Sequence, residues 1–229
     1  MKLYELVGQD RSQGFSPYVW RIRMALAHKG FAPERVPLTF TEIPDKLAFA
    51  NAKTVPVLED GDQVVVDSWN IACYLEDTYP HQPSLFGGDT GRTLARHFNM
   101  SSIYHLMLPL FRAIVADIFE VIDEKDQDYF RQSRESRLGQ TLEEMRARKP
   151  ENLNIFRTNL WPYNATLKEY AFLAGDKPAY VDYILYGIFQ WARYCSPDPL
   201  LEEESPLYSW LERMDELFDG LGQTLKRRT

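Results

Sequence analysis

The stretch from Thr54 to Leu75 constrains the fold more than any other part of the chain. Two β-rich runs, Val55–Glu59 and Gln63–Val66, flank Asp60-Gly61-Asp62, and Asp-Gly between apolar residues signals a hairpin because both residues tolerate positive φ. Asp67-Ser68 then opens a helix, with Ser68 suited to accept hydrogen bonds from the first free amides. Such a helix N-terminus is a ready anion site. Pro56 donates no ladder hydrogen bond and belongs at an edge or a bulge. If Val55 presents its own N–H and C=O outward, an extended peptide can pair with that backbone. Asp67 can take a ligand ammonium, and Ser68 with its helix end a carboxylate. The same residues also spell an ordinary hairpin, a proline at a strand start and a routine helix cap.

Upstream, Lys2–Val7 reads as a strand and Gly8–Phe15 as a polar loop. Ser16-Pro17 starts a helix, with serine at the cap and proline at the first helical position. Its apolar face is Val19, Ile22, Ala25 and Leu26, and it closes in Lys29-Gly30. Ala32–Leu38 reads as a second strand and Thr39–Ala52 as a loop with a short irregular helix. The order β-α-β-(α)-β-β-α fits a small α/β sandwich. With a proline opening the third strand, it resembles the thioredoxin fold. This domain takes residues 1–80, and residues 81–91, rich in glycine and proline, form a linker. Residues 92–229 show helical recurrence only: Thr93–Asp123 with Pro109 as a kink or break, Asp128–Arg148, Glu151–Phe172 interrupted near Trp161-Pro162, Tyr180–Cys195 as the buried central helix, and Pro206–Leu217. The fold class is an N-terminal thioredoxin-like α/β domain followed by an all-α helical C-terminal domain.

A net charge of −7, with Lys226-Arg227-Arg228 as the one basic run, argues against a nucleic-acid partner. No apolar run approaches a membrane span, and the start lacks the apolar core of a secretory signal, so neither a membrane nor export is expected. Cys73 and Cys195 form no Cys-x-x-Cys, which excludes a dithiol motif and a disulfide scaffold and suits a reducing cytoplasm. Cys73 reads as a small buried apolar side chain. The four histidines, His28, His81, His97 and His105, have no metal-ligand spacing, so no metal is expected.

Thr54-Val55-Pro56-Val57, then Asp67-Ser68 before a helix, then an all-helical half, resembles the glutathione transferases. Gly175-Asp176-Lys177-Pro178-Ala179-Tyr180-Val181-Asp182 is similar to that family's signature before its central helix, with Ala179 where the family usually carries Ser or Thr. Ser16-Pro17-Tyr18-Val19-Trp20-Arg21 and His28-Lys29-Gly30-Phe31 are similar to the bacterial β-aryl-etherase type, which opens lignin-derived aryl ethers. So are Asp128-Tyr129-Phe130-Arg131, Ser133-Arg134-Glu135, Leu142-Glu143-Glu144, Trp210-Leu211 and Leu217 through Gly222.

The resemblance implies glutathione as cosubstrate and a homodimer. It places Ser16 beside the glutathione sulfur, where the residues alone equally allow a plain helix cap. Val55, before a cis Pro56, would pair with the cysteinyl part, while Asp67 and Ser68 hold the γ-glutamyl end. Lys53 or Lys46 would face the glycyl carboxylate. A hydrophobic, aromatic electrophile would sit between the halves against Tyr18, Trp20, Tyr104, Met107, Phe111, Trp191 and Tyr194. The implied reaction is thiolate attack with release of an aryloxide or similar group. The alternatives are a glutathione-dependent isomerase or dehalogenase, or a non-catalytic binding protein on the same fold. Arg131, Arg134 and Glu135 read as a solvated helix face, with Arg131 and Glu135 paired at i,i+4.

Overall fold

In the computed structural model, which describes residues 1–229, four strands form one sheet in the order β2-β1-β3-β4. β1 (Lys2–Leu6) runs parallel to β2 (Glu34–Leu38) through the crossover helix α1 (Pro17–His28). On its other side β1 pairs antiparallel with β3 (Val57–Asp60), which turns into β4 (Gln63–Val66). Asp60 pairs with Gln63, so the hairpin loop is Gly61-Asp62, and Gly61 alone takes the positive φ, at 58°. Asp60 thus serves as the last strand residue, not as a turn residue. A short helix, α2 (Ile43–Lys46), precedes the hairpin and α3 (Ser68–Thr78) follows it.

α1 is not the amphipathic helix of the sequence reading. Pro17 and Val19 through Leu26 are all buried, Arg21 and Arg23 included. The helix is wrapped by α3 and by two helices of the second half, α10 (Tyr180–Cys195) and α11 (Pro206–Gly220).

The second half starts at Asp89, inside the stretch read as linker. α4 (Asp89–Ser102) runs through a π turn at Ile103–Met107 into α5 (Leu108–Val121). Pro109 therefore does not break the rod. It sits in the first turn of α5, and the wide turn upstream absorbs its missing donor and its ring. The whole helical run Asp89–Val121 is apolar enough over one stretch to match a bilayer span, but 61% of that stretch is buried in the protein, which makes it a core helix. Gly139, at φ 66°, separates α6 (Gln127–Leu138) from α7 (Leu142–Ala147), where the sequence suggested one helix. α8 (Lys149–Thr158) and α9 (Trp161–Leu167) split where Pro162 occupies the first turn of α9. The Arg131–Glu135 pair forms at 2.8 Å, and Glu143 joins it at 2.9 Å.

α10 is the central helix; only Val181 and Arg193 escape full burial. Ala179 offers no hydroxyl to its first turn. Asp182 supplies the stop instead, accepting from the N–H groups of Ala179 (3.1 Å) and Leu173 (2.7 Å) and from the Trp210 indole (3.0 Å). α10 also forms the seam with the first domain. A Cβ added at Gly187 would stand 2.3 Å from the Pro17 carbonyl, so α1 and α10 nearly touch there. The Tyr180 hydroxyl donates to the Ser68 carbonyl at 3.0 Å. Elsewhere on the seam, buried Asp126 accepts from the N–H groups of Phe40 and Thr41 and from the Thr41 hydroxyl. Arg21 donates to Asn99 at 2.6 Å, and His28 Nδ1 lies 2.5 Å from the Tyr183 hydroxyl.

Two predictions follow from the seam. Gly187→Ala forces α1 off α10 and should lower stability by about 2–3 kcal/mol; an unchanged urea midpoint would refute the close approach. Burial, and then the Lys29 charge, hold the His28 imidazole below its ordinary value of 6.5. The folded state thus resists a proton that the unfolded chain accepts, so stability is full above about 6.5 and falls as pH drops below it. Between pH 6.5 and 5.5 the urea midpoint should decline in the wild type, and His28→Gln should flatten that decline.

Candidate functional site

The sheet brings the candidate residues to the C-terminal end of β1. Tyr4 lies opposite Val57, and continuing that antiparallel register by two residues sets Val55 level with Leu6. On the other edge of the same level, the Phe15 amide donates to the Leu6 carbonyl at 3.1 Å. Ser16, Val55 and the start of α3 therefore share one end of the sheet.

Ser16 is the N-cap of α1. Its buried hydroxyl accepts from the Val19 amide at 3.4 Å, and Trp20 N–H bonds its carbonyl at 3.0 Å. The Ser16 and Tyr18 amides have no partner in the chain, and the hydroxyl keeps its own proton to donate. A positive helix end with free donors and a hydroxyl suits a soft anion.

The Val55–Pro56 bond is cis, and neither the N–H nor the C=O of Val55 is hydrogen-bonded within the chain. The Pro56 carbonyl accepts from Asp67 N–H at 3.3 Å, which ties the hairpin to the entry of α3. The cap of α3 corrects the sequence reading: it is Asp67, not Ser68. Asp67 Oδ1 accepts from Trp69 N–H at 2.9 Å and from Asn70 N–H at 3.2 Å, leaving Oδ2 unpaired on an exposed side chain. Ser68 becomes the first helical residue, and its amide and hydroxyl are both unpartnered. Where the sequence suggested one cap, the structure gives a capped helix end with spare donors beside a spare carboxylate oxygen. Lys53 and Lys46 are both exposed and enter no ion pair.

The aromatic set divides. Trp20 does not line a pocket: it is fully buried, and its indole N–H donates to the Gly14 carbonyl at 2.8 Å. Tyr104, on the π turn, points to solvent with 70% exposure and joins no wall between the halves. Phe111 and Trp191 stack at 6.1 Å, with Met107 buried in the adjoining turn. Tyr194 stacks on Phe15 at 5.3 Å, directly before Ser16. Tyr18 is half-buried beneath the Arg21 guanidinium, 4.7 Å from its ring. Phe15 is a site neighbour that the sequence reading misses; an apolar residue just before an N-cap is the signal that marks it. Tyr180 and Asn99, which hold α3 and Arg21, carry no such signal, because only the folded chain brings them there. Cys73 is half-buried, and burial pushes its thiol up, away from the thiolate form.

Against known proteins, residues 93–211 match the family model described as glutathione S-transferase, C-terminal domain, and residues 15–78 the corresponding N-terminal domain. The chain belongs to the glutathione S-transferase family. It is similar to the glutathione S-transferase-like protein ustS of Aspergillus flavus, at 27% identity over 79% of this chain and 75% of that protein. Its structure resembles glutathione transferase GSTFuA3 of Phanerochaete chrysosporium, with TM-score 0.77, 26% identity, and 96% and 91% of the two chains covered. It shares the fold of a Ceriporiopsis subvermispora glutathione S-transferase in complex with glutathione, with TM-score 0.84, 21% identity, and 95% and 96% covered. The thioredoxin-like first half and helical second half are thus the family's fold.

Because the Ser68 hydroxyl bonds nothing in the chain, Ser68→Ala should leave the urea midpoint within about 0.5 kcal/mol of wild type. The same variant should weaken glutathione binding roughly tenfold if that hydroxyl meets a ligand carboxylate, as one lost hydrogen bond to a charge implies. Calorimetric titration of both proteins reads the difference.

Proposed function

We propose that the chain binds glutathione at the end of β1 and transfers its sulfur to an electrophilic carbon. The observation that carries this reading is the unpaired backbone of Val55. An extended peptide that adds to an open strand edge needs one such donor and one such acceptor. The cysteinyl part of the tripeptide pairs there. The γ-glutamyl carboxylate meets the free amide and hydroxyl of Ser68, and its ammonium meets Asp67 Oδ2. The thiol then arrives at the first turn of α1.

The chemistry is the ionisation of that thiol. A free thiol has a pKa of about 8.5, so little is thiolate at neutral pH. Bringing it down by about two units takes on the order of 2.7 kcal/mol. A donated hydroxyl from Ser16 and the free amides at the head of α1 are groups of the right kind and number. The thiolate attacks the electrophilic carbon, a C–S bond forms, and the bond to the leaving oxygen breaks. The aryloxide carries away the electron pair and takes a proton from solvent. The likeness of the Ser16–Arg21 and Leu217–Gly222 segments to etherases supports an aryl ether as the substrate. Aromatic packing adjoins Ser16, since Phe15, the residue before it, stacks on Tyr194.

Ser16→Gly tests the assignment, since glycine at an N-cap costs only a few tenths of a kcal/mol, ~0.3, in stability. The variant should stay folded, raise the pKa of bound glutathione by at least one unit, and lose about tenfold or more in kcat/KM. Thiolate absorbance against pH and turnover of an aryl ether measure both. Full turnover with an unchanged thiol pKa would remove Ser16 from the mechanism.

A further inference from the structure

Arg21 is 1% exposed, and no carboxylate pairs with it. Its Nη1 donates to Asn99 Oδ1 on α4 at 2.6 Å, and its buried Nε bonds nothing in the chain. A guanidinium keeps its charge at any working pH. A buried cation with a neutral partner and an idle donor costs the fold free energy, and cores rarely hold one. The chain pairs other buried cations in the usual way: Lys29 meets Glu76 at 2.7 Å, and Arg193 meets Asp215 at 2.7 Å. Arg23, buried on the same helix, has the Glu5 carboxylate acting on it.

The unpaired charge lies between the two helix heads of the candidate site. The guanidinium covers the ring of Tyr18, which stands in the first turn of α1 and has a free amide. The Arg21 backbone is fixed against α10, since a Cβ placed at Gly187 would stand 3.4 Å from its amide. On α10, burial pushes the Tyr180 phenol up, and the Arg21 charge pulls against that shift. The Tyr180 hydroxyl in turn holds the Ser68 carbonyl at the head of α3. Two further titratable groups act on Tyr180 from α3: Asp67, exposed and engaged as the helix cap, and Cys73, whose thiol burial pushes up. Neither pairs with Arg21.

We propose that Arg21 is a positioning charge for bound glutathione: the fold leaves it without a carboxylate so that its field serves the thiolate at the first turn of α1. Inside a protein a charge is felt more strongly at a given distance than in water, and a nearby cation favours an anion. The tripeptide supplies the negative charge that the fold withholds. This inference rests on the transferase reading and adds a residue behind the contacts given there.

The test puts the missing carboxylate in place. Asn99→Asp keeps the shape of the side chain, pairs with Arg21 and cancels its field. With the full chain and saturating glutathione, it should raise the pKa of the bound thiol by at least about half a unit, roughly threefold in thiolate. Its urea midpoint, measured without glutathione, should stay level or rise, because a buried charge gains its partner. Arg21→Met removes the charge, keeps an apolar stem and should move the thiol pKa the same way. A merely structural Arg21 predicts otherwise: Asn99→Asp would anchor it more firmly and leave the thiol unchanged. Where Arg21→Met does not fold, Asn99→Asp decides alone. An unchanged thiol pKa in Asn99→Asp, or a lower urea midpoint for it, would overturn the proposal. If the wild type binds no glutathione, the transferase reading falls and this inference with it; if it binds and Asn99→Asp is indifferent, only the role of Arg21 falls.

Discussion

The near-contact of α1 with α10 at Gly187 is the constraint on which the rest of the architecture depends. A helix bearing a β-carbon at that point cannot bring its backbone so close to the Pro17 carbonyl. The gap left by one hydrogen side chain fixes the head of α1, and Ser16 with it. Seven residues earlier on the same helix, Tyr180 reaches the first turn of α3. A single rod from the helical half thus holds the two helix N-termini of the sheet domain in mutual register. The halves are distinct in sequence pattern, yet the site of one is set by the packing of the other.

What they hold is mostly backbone. The candidate cradle consists of groups that secondary structure leaves unpaired: the amide and carbonyl of Val55, the amides of Ser16 and Tyr18, and the amide of Ser68. Unpaired main-chain groups are normally a liability in a folded protein. Here they cluster at one end of a sheet whose strands fix their spacing. Side chains contribute a hydroxyl at Ser16, another at Ser68 and one carboxylate oxygen at Asp67. Under the proposed reading, recognition by backbone would tolerate wide sequence change around it, and a solved structure at 26% identity shares the fold.

Much of this was legible in the chain. The hairpin, the crossover helix and the central helix announced themselves through Asp60-Gly61, Ser16-Pro17 and the apolar run after Ala179, because turn chemistry and periodicity are local properties. The errors share a cause. Trp20 reads as pocket from its sequence and is core in the fold, since an aromatic at helical spacing does not say which of two neighbours it faces. Pro109 signals a kink or a break, but a π turn upstream, invisible to propensity, carries the helical run through it. Ser68 reads as the cap because serine and aspartate are equally good at that position, and backbone geometry at Asp67 makes the choice. The burial of Arg21 and Arg23 went unseen for the same reason: nothing in a helix of alternating charge and bulk reveals that every side of it is covered.

Asp67 carries one more consequence. It holds a backbone conformation, φ 78° and ψ 136°, that suits glycine far better than aspartate, at a position where strain of order 1–3 kcal/mol is typical. Its carboxylate offsets part of that by closing the helix end. A laboratory selection that rewarded heat resistance alone would find glycine attractive there, trading a strained acid for a relaxed backbone. The survivors would be sturdy proteins that lack the carboxylate to which the proposed reading assigns the γ-glutamyl ammonium.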